Sequence, residues 1–242
     1  MGIKYRNPEL SGIINVYKEK GMTSHDVVAA VRGVTGAKAG HAGTLDPDAE
    51  GVLVVLLGKC TKLSDRLMTG DKVYRAVCVL GVTTDTQDAG GAIVAVRPAG
   101  CGLDEIREAA ARFAGGYMQT PPMYSALKVG GRKLCDLARA GKTVGREPRF
   151  ARVDRIEITA FEPPDRVYMD VTCGKGVYIR TLCADIGDAL GCGAHMAALT
   201  RLAVGDFRAE DGVRLGRIRE LAAEGRLDEI INREYNTEYN TE

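Results

Sequence analysis

Runs and alternations of apolar residues divide the chain into pieces that each suit one kind of element. GIINVYK (12–18) reads as a short strand. TSHDVVAAVRGVTG (23–36) reads as a helix, with Thr23 or Ser24 as N-cap, Asp26 in the first turn and Gly36 as its stop. GVLVVLLG (51–58) is a continuous apolar run, as a strand buried on both faces requires. CTKLSDRLMTG (60–70) predicts a helix ending at Gly70, and KVYRAVCVLGVTT (72–84) one long alternating strand. LDEIREAAARFAGG (103–116) is the clearest amphipathic helix, closed by a glycine pair.

Beyond it, QTPPMYSALKVGGRKLCDLARAG (119–141) holds two prolines, a GG turn signal and then a short helix. ARVDRIEITAFEPP (151–164) and RVYMDVTCGKGVYIR (166–180) predict an antiparallel pair joined by a proline-rich turn. TLCADIGDALG (181–191) and VRLGRIRELAAEGRLDEII (213–231) predict two last helices. Strands and helices mix without strict βαβ alternation, so the expected class is α+β rather than a doubly wound sheet. No linker-like stretch precedes residue 230, and EYNTEYNTE (234–242) repeats a polar unit that can bury nothing.

Composition narrows this picture. At 242 residues, with 45% hydrophobic and 27% charged, the chain suits one large domain or two small ones with a sizeable core. Tryptophan is absent, so the nine tyrosines are the main source of aromatic surface. A net charge of +1 selects no partner by itself. Seven cysteines without a CxxC pair read as thiols in a reducing compartment. No apolar segment approaches the ~20 residues that span a bilayer, and MGIKYRNPELSG lacks the apolar core of a signal peptide. A soluble cytoplasmic protein without membrane contact is expected.

Four stretches carry candidate chemistry. GHAGTLDPDAEG (40–51) sets Asp46 between Leu45 and Pro47 in a glycine-rich loop just before the buried run. Asp46 is open to three readings: a turn aspartate, a phospho-acceptor of the DxD kind, or a carboxylate nucleophile toward a glycosidic carbon or electron-poor ring. The DxD reading is the weak one, because its acids should follow a strand rather than precede it. CGKGVYIRTL (173–182) places Tyr178 and Arg180 just past a strand, in an apolar context where a guanidinium needs a carboxylate partner. In DKVYRAVCVLG, Tyr74 lies between Lys72 and Arg75, as an aromatic platform flanked by cations for phosphate would. PPMYSALKVGGRKL joins Tyr124 to Lys128, Arg132 and Lys133, and GKTVGREPRFAR adds further basic residues, which suits a flexible RNA-gripping element as well as a solvated surface. Cys183, Cys192 and His195 lack a second paired ligand set, so no metal is expected, and no glycine-rich phosphate cradle matches a known fingerprint.

Taken together, these stretches resemble the TruB family of tRNA pseudouridine synthases, from about residue 12 to about residue 208. KAGHAGTLDPDAEGVL resembles the family's catalytic-loop motif, and DKVYRA, TPPMYSALK, KGVYIRTL and GCGAHMAALTRLAVGDF resemble its other blocks in order. The resemblance implies the pseudouridine-synthase fold: a mixed, mainly antiparallel central sheet flanked by helices and loops, with an RNA-binding cleft. It implies a catalytic domain over 1–232, an RNA-gripping loop-hairpin near 119–150 and a disordered tail over 233–242.

The same resemblance makes Asp46 the nucleophile toward uridine 55 of the tRNA T-loop. Tyr74 would stack on the target base, Arg180 would pair with Asp46, His41 would hold the flipped RNA and Tyr178 would line the pocket. Lys18, Lys128 and Arg132 would bind substrate. No cofactor and no metal would be needed, the partner would be the tRNA T-arm, and the protein would act as a monomer. Glu19 stands where the family often has proline. Family members also usually carry a small C-terminal RNA-binding domain of the PUA type; little chain follows the last helix here, so a form without a full one is expected. The alternatives are a pseudouridine synthase for another RNA and a tRNA-binding folding helper.

Overall fold

A computed structural model describes residues 7–235. Its elements in chain order begin with β1 (Gly12–Lys18), α1 (Ser24–Thr35), β2 (Ala39–His41), β3 (Glu50–Leu57), α2 (Ser64–Leu67) and β4 (Lys72–Leu80). There follow β5 (Val82–Thr84), β6 (Ile93–Val96), α3 (Leu103–Ala111), β7 (Tyr117–Gln119), β8 (Lys128–Val129), β9 (Arg132–Lys133) and α4 (Leu134–Arg139). The last are β10 (Arg149–Ala151), β11 (Val153–Glu162), β12 (Arg166–Cys173), α5 (Ile179–Ala189), β13 (Ala194–Val204), β14 (Phe207–Arg208) and α6 (Leu215–Glu224). The class is α+β with a mainly antiparallel sheet, as expected. The described chain divides into two compact units, one of residues 7–73 with 200–235 and one of residues 74–199.

In the first unit the strand order is β1-β3-β13. β1 runs antiparallel to β3 from Gly12↔Leu57 to Lys18↔Gly51. On the other edge of β3 lie β2, antiparallel, and the end of β13, parallel at Thr200↔Glu50 and Arg201↔Gly51. The apolar run does what its pattern predicts: Val52 to Leu57 are all 0% exposed. Leu53, Val55 and Leu57 point into a core with Ile14, Val27, Val31, Ile218 and Leu221, while Val52, Val54 and Leu56 enter a second one with Ile13, Cys60 and Val204. Each such side chain contributes about 1.5–3 kcal/mol by leaving water, so β3 is held by burial on both faces. α1 is capped by Thr23, whose hydroxyl accepts the Asp26 N–H at 3.0 Å while the Asp26 carboxylate accepts the Thr23 N–H at 2.8 Å.

In the second unit the order is β13-β4-β12-β11, with the antiparallel β11–β12 pair read from the sequence in place. Three smaller ribbons accompany it: β5 with β6, β7 with β10, and β8 with β9 around the GG turn.

The differences from the sequence reading have physical causes. Residues 60–70 form no continuous α-helix, but a 3₁₀ segment Gly58–Leu63 followed by the short α2. Its buried residues, Cys60 and Leu63, are three apart, the 3₁₀ period, and Thr61 returns its hydroxyl to Gly58 O at 2.8 Å. The long strand 72–84 breaks at Gly81, which has φ 81° and whose Cβ would meet Arg97 O at 2.6 Å. Arg180 lies in the first turn of α5 rather than just past a strand. β13 was not read as a strand because Ala194–Val204 is rich in alanine and leucine, with only Thr200 and Val204 β-branched. Of the tail, Tyr235 stacks on Phe207 at 6.2 Å and Arg233 pairs with Asp228; residues 236–242 lie outside the described residues. Among the described residues no helix is long and apolar enough to cross a membrane.

Candidate active site

The Asp46 loop is fixed by groups that reach it from elsewhere in the first unit. Ser24, 2% exposed at the start of α1, accepts the Leu45 N–H at 2.8 Å and donates to Leu45 O at 3.0 Å. One hydroxyl thus satisfies both main-chain groups of the residue before Asp46. The next four residues turn tightly, Ala49 N–H to Asp46 O at 3.1 Å, with Pro47 at the position where a fixed φ favours a turn.

Two buried cations complete the mooring. Lys18 is 0% exposed, and its ammonium donates to Ala49 O at 2.5 Å, Pro47 O at 3.0 Å and Glu19 O at 3.1 Å. Arg201, 1% exposed, donates from Nε to Val52 O at 2.8 Å, from Nη2 to Gly43 O at 3.1 Å and from Nη1 to Thr44 O at 3.4 Å. Gly51, opposite Arg201 in the sheet, has φ 105°, and a Cβ there would sit 2.2 Å from Arg201 O. Only glycine lets the two backbones approach so closely. Burial pushes the Lys18 ammonium below its usual range, opposed by the negative charges of Asp46 and Asp48. Lys18 therefore meets the loop's carbonyls and not solvent.

His41 ends β2, beside Val55 and next to the loop. Its Nδ1 is buried without a hydrogen-bond partner among the described residues, and burial, followed by the Arg201 charge, lowers its pKa. The unfolded chain then binds a proton more readily than the folded one, so stability is full above the ordinary histidine value near 6.5 and falls as pH drops from there toward the lowered value. We expect His41→Asn to remove this acid sensitivity. Urea midpoints of wild type and variant should change relative to each other between pH 7.5 and pH 5, the wild type losing more; parallel curves would contradict the burial argument.

The second unit holds Tyr74, Tyr178, Arg180, Lys128 and Arg132. Arg180, its side chain 8% exposed, meets Asp88 Oδ2 at 3.2 Å and donates to Tyr124 O at 2.8 Å. Asp88 is a carboxylate partner that the sequence reading did not name. Its other oxygen accepts Thr86 Oγ1 at 2.7 Å and Gly90 N–H at 3.1 Å, which leaves Oδ2 turned toward the guanidinium. Gln87 next to it has φ 65°, held by Met196 N–H on its carbonyl at 3.0 Å and by Thr181 Oγ1 on its side chain at 2.7 Å. A non-glycine residue in that region costs of order 1–3 kcal/mol and persists only where its neighbours over-determine it.

Tyr74 is half-buried on β4, and its two basic neighbours each have partners. Arg75 makes a two-pronged pair with Asp170 at 2.8 and 2.7 Å, and in the first unit buried Lys72 donates to Met68 O and to Gly70 O. Lys128 and Arg132 are exposed on the β8–β9 ribbon, at the rim of an open hollow of about 450 Å³ that Lys133, Lys142 and Asp136 also line. Among the described residues no group of three or more His, Cys, Asp or Glu is placed to hold a metal ion.

The model of the TruB family pseudouridylate synthase N-terminal domain matches residues 31–179, and that of the tRNA pseudouridylate synthase B C-terminal domain matches residues 180–233. The chain is 46% identical over 223 residues to tRNA pseudouridine synthase B of Alkaliphilus oremlandii, covering 92% of this chain and 73% of that protein. The protein of the same name from Pseudomonas aeruginosa is 44% identical over 224 residues, with the same coverage. Among solved structures, a chain of a Cbf5-Nop10-Gar1 complex superposes with a TM-score of 0.70 at 33% identity, over 90% of this chain and 56% of that one. This chain thus spans little more than half of that solved relative. Its own sequence and fold nevertheless match along nearly their whole length, and the chain belongs to the TruB family of pseudouridylate synthases.

Proposed function

We propose that this enzyme converts uridine 55 in the T-loop of tRNA to pseudouridine, acting as a monomer in the cytoplasm without cofactor or metal. The observation that carries the reading is the moored loop: a carboxylate on a turn whose main chain is held by Ser24, Lys18 and Arg201 is a nucleophile kept in place before substrate arrives. The choice of tRNA follows the relatives named tRNA pseudouridine synthase B, which are more similar than the Cbf5 chain.

The uridine must first leave its stack, at a cost of a few kcal/mol. Stacking on Tyr74 would offset about 1–3 kcal/mol of this. His41 and Tyr178 hold the extruded nucleotide, and Lys128 and Arg132 grip the phosphates around it. Asp46 attacks the ribose C1′ or the uracil C6. The glycosidic bond breaks, the detached base turns, and C5 bonds to the ribose carbon as the bond to Asp46 is released; C5 loses its proton and N1 gains one, so the product is an isomer. Arg180, anchored by Asp88, is the fixed cation among the base-binding residues. A closed pocket matters as much as the nucleophile, because an escaped uracil would leave an abasic site.

The test is tritium release from a T-arm transcript labelled at C5 of its uridines. Release of one equivalent, mapped to the single T-loop uridine, is expected. Release from bulk RNA but not from the T-arm would move the substrate to another RNA, and no release from either would overturn the reading.

A further inference from the structure

α5 begins without the usual help at its N-terminus. Its N-cap residue, Tyr178, has no side-chain cap, and the first turn holds no acidic residue. Its first turn nevertheless carries Arg180, which must point in one direction to be of use. The main chain at Tyr178 is held by a side chain from another element. Gln119, 3% exposed at the end of β7, accepts the Tyr178 N–H on Oε1 at 2.9 Å and donates from Nε2 to Tyr178 O at 3.1 Å. A single amide thus pairs with both main-chain groups of one residue, as a neighbouring strand would.

The amide is itself oriented. Its Nε2 also donates to the Tyr117 hydroxyl at 2.6 Å, and that hydroxyl donates to Asp185 Oδ2 at 2.7 Å. Tyr117 and Gln119 are two apart on β7 and so share a face, while Met118 between them is 61% exposed. Asp185 lies on α5 as well. The strand therefore holds the helix at two points, the backbone of its N-cap and a carboxylate further along. Tyr117 is kept in place by Phe113, whose ring meets it edge-on at 4.8 Å.

We propose that Gln119 is a positioning residue: by clasping the Tyr178 peptide, with its amide oriented through Tyr117 and Asp185, it sets the start of α5 and hence the direction of Tyr178 and Arg180. The proposal rests on the reading of those two residues as base-binding groups. A displacement of about 1 Å in such a group costs on the order of 10²-fold in rate.

The test uses the full-length protein and Gln119→Met, which keeps the length of the side chain but none of its hydrogen bonds, beside Gln119→Glu, Tyr117→Phe and wild type. Single-turnover pseudouridylation at saturating enzyme and KM for tRNA are measured together with hydrogen exchange across α5. Both Gln119 variants should lose about 10–100-fold in the rate of the chemical step with KM nearly unchanged, and Tyr117→Phe should lose less. The Tyr178 amide should lose protection while amides from Cys183 onward keep theirs. Unchanged rates, or a loss appearing wholly in KM, would overturn the proposal. So would exchange that rises along the whole helix, which marks general destabilisation. Exchange reads the clasp even if wild type proves inactive: wild-type inactivity counts against the proposed function, unaltered Tyr178 protection in Gln119→Met against the clasp.

Discussion

Asp46→Asn is expected to abolish turnover, by at least about 10⁴-fold in the single-turnover rate, with tRNA binding and folding left nearly as they were. An asparagine amide has the size of the carboxylate but not its nucleophilicity. The bonds that shape the loop run to main-chain atoms: Leu45 N–H and O to Ser24, Asp46 O to Ala49, and the carbonyls of Pro47 and Ala49 to Lys18. None of these bonds is made by the Asp46 carboxylate, whose charge does bear on the buried Lys18 ammonium. The same variant separates an enzyme from a folding helper, since a protein that only binds tRNA would keep its effect on tRNA folding. Retention of the wild-type rate within about tenfold would remove Asp46 as nucleophile.

Arg201→Met should be the most costly change in the first unit. It deletes the donors to Val52, Gly43 and Thr44 carbonyls in a site that is 1% exposed. A buried acceptor left without a donor costs about 1–3 kcal/mol, so a loss of about 3 kcal/mol or more is expected in urea unfolding at unchanged slope. Activity should fall beyond what the unfolded fraction explains, because the loop loses its fix on the β13 side. Arg201→Lys should recover only part of this, since an ammonium cannot reproduce a guanidinium fork spread over carbonyls in different directions. A loss below about 1 kcal/mol for Arg201→Met would mean that these bonds contribute little and that Ser24 and Lys18 suffice.

How far the sequence could be read follows from where each signal resides. β1, α1 and β3 were legible almost to the residue, because their signals are local: an alternation, a Thr-x-x-Asp cap with its closing glycine, and an apolar run long enough to need burial on both faces. β13 was not, because its alanines and leucines suit a helix as well, and neighbouring strands alone make it extended. Asp46 stood out for its odd setting among glycines before a buried strand. The groups that place it did not stand out, since lysine and arginine normally face water. Lys18 and Arg201 are inside only because carbonyls 31 and 149 positions away receive them. Asp88, Gln87 and Gln119 carry no composition signal either. They become visible through partners 59 to 94 residues away in the chain, and a scan along the sequence does not bring such pairs together.

The distance between the Asp46 loop and Arg201 has a consequence for how the protein is made. A ribosome delivers the loop, β1 and the start of α1 early, and Ser24 and Lys18 can engage it as soon as they fold together. The third mooring arrives only after more than a hundred and forty further residues have been synthesised, when Arg201 emerges and slides alongside Gly51. Until then Asp46 is present but its loop lacks the hydrogen bonds from Arg201. A nascent chain of this protein therefore carries Asp46 long before the loop around it is complete. A message cut short between codons 51 and 201 would yield a product with every residue of the 40–51 stretch and an unfinished loop.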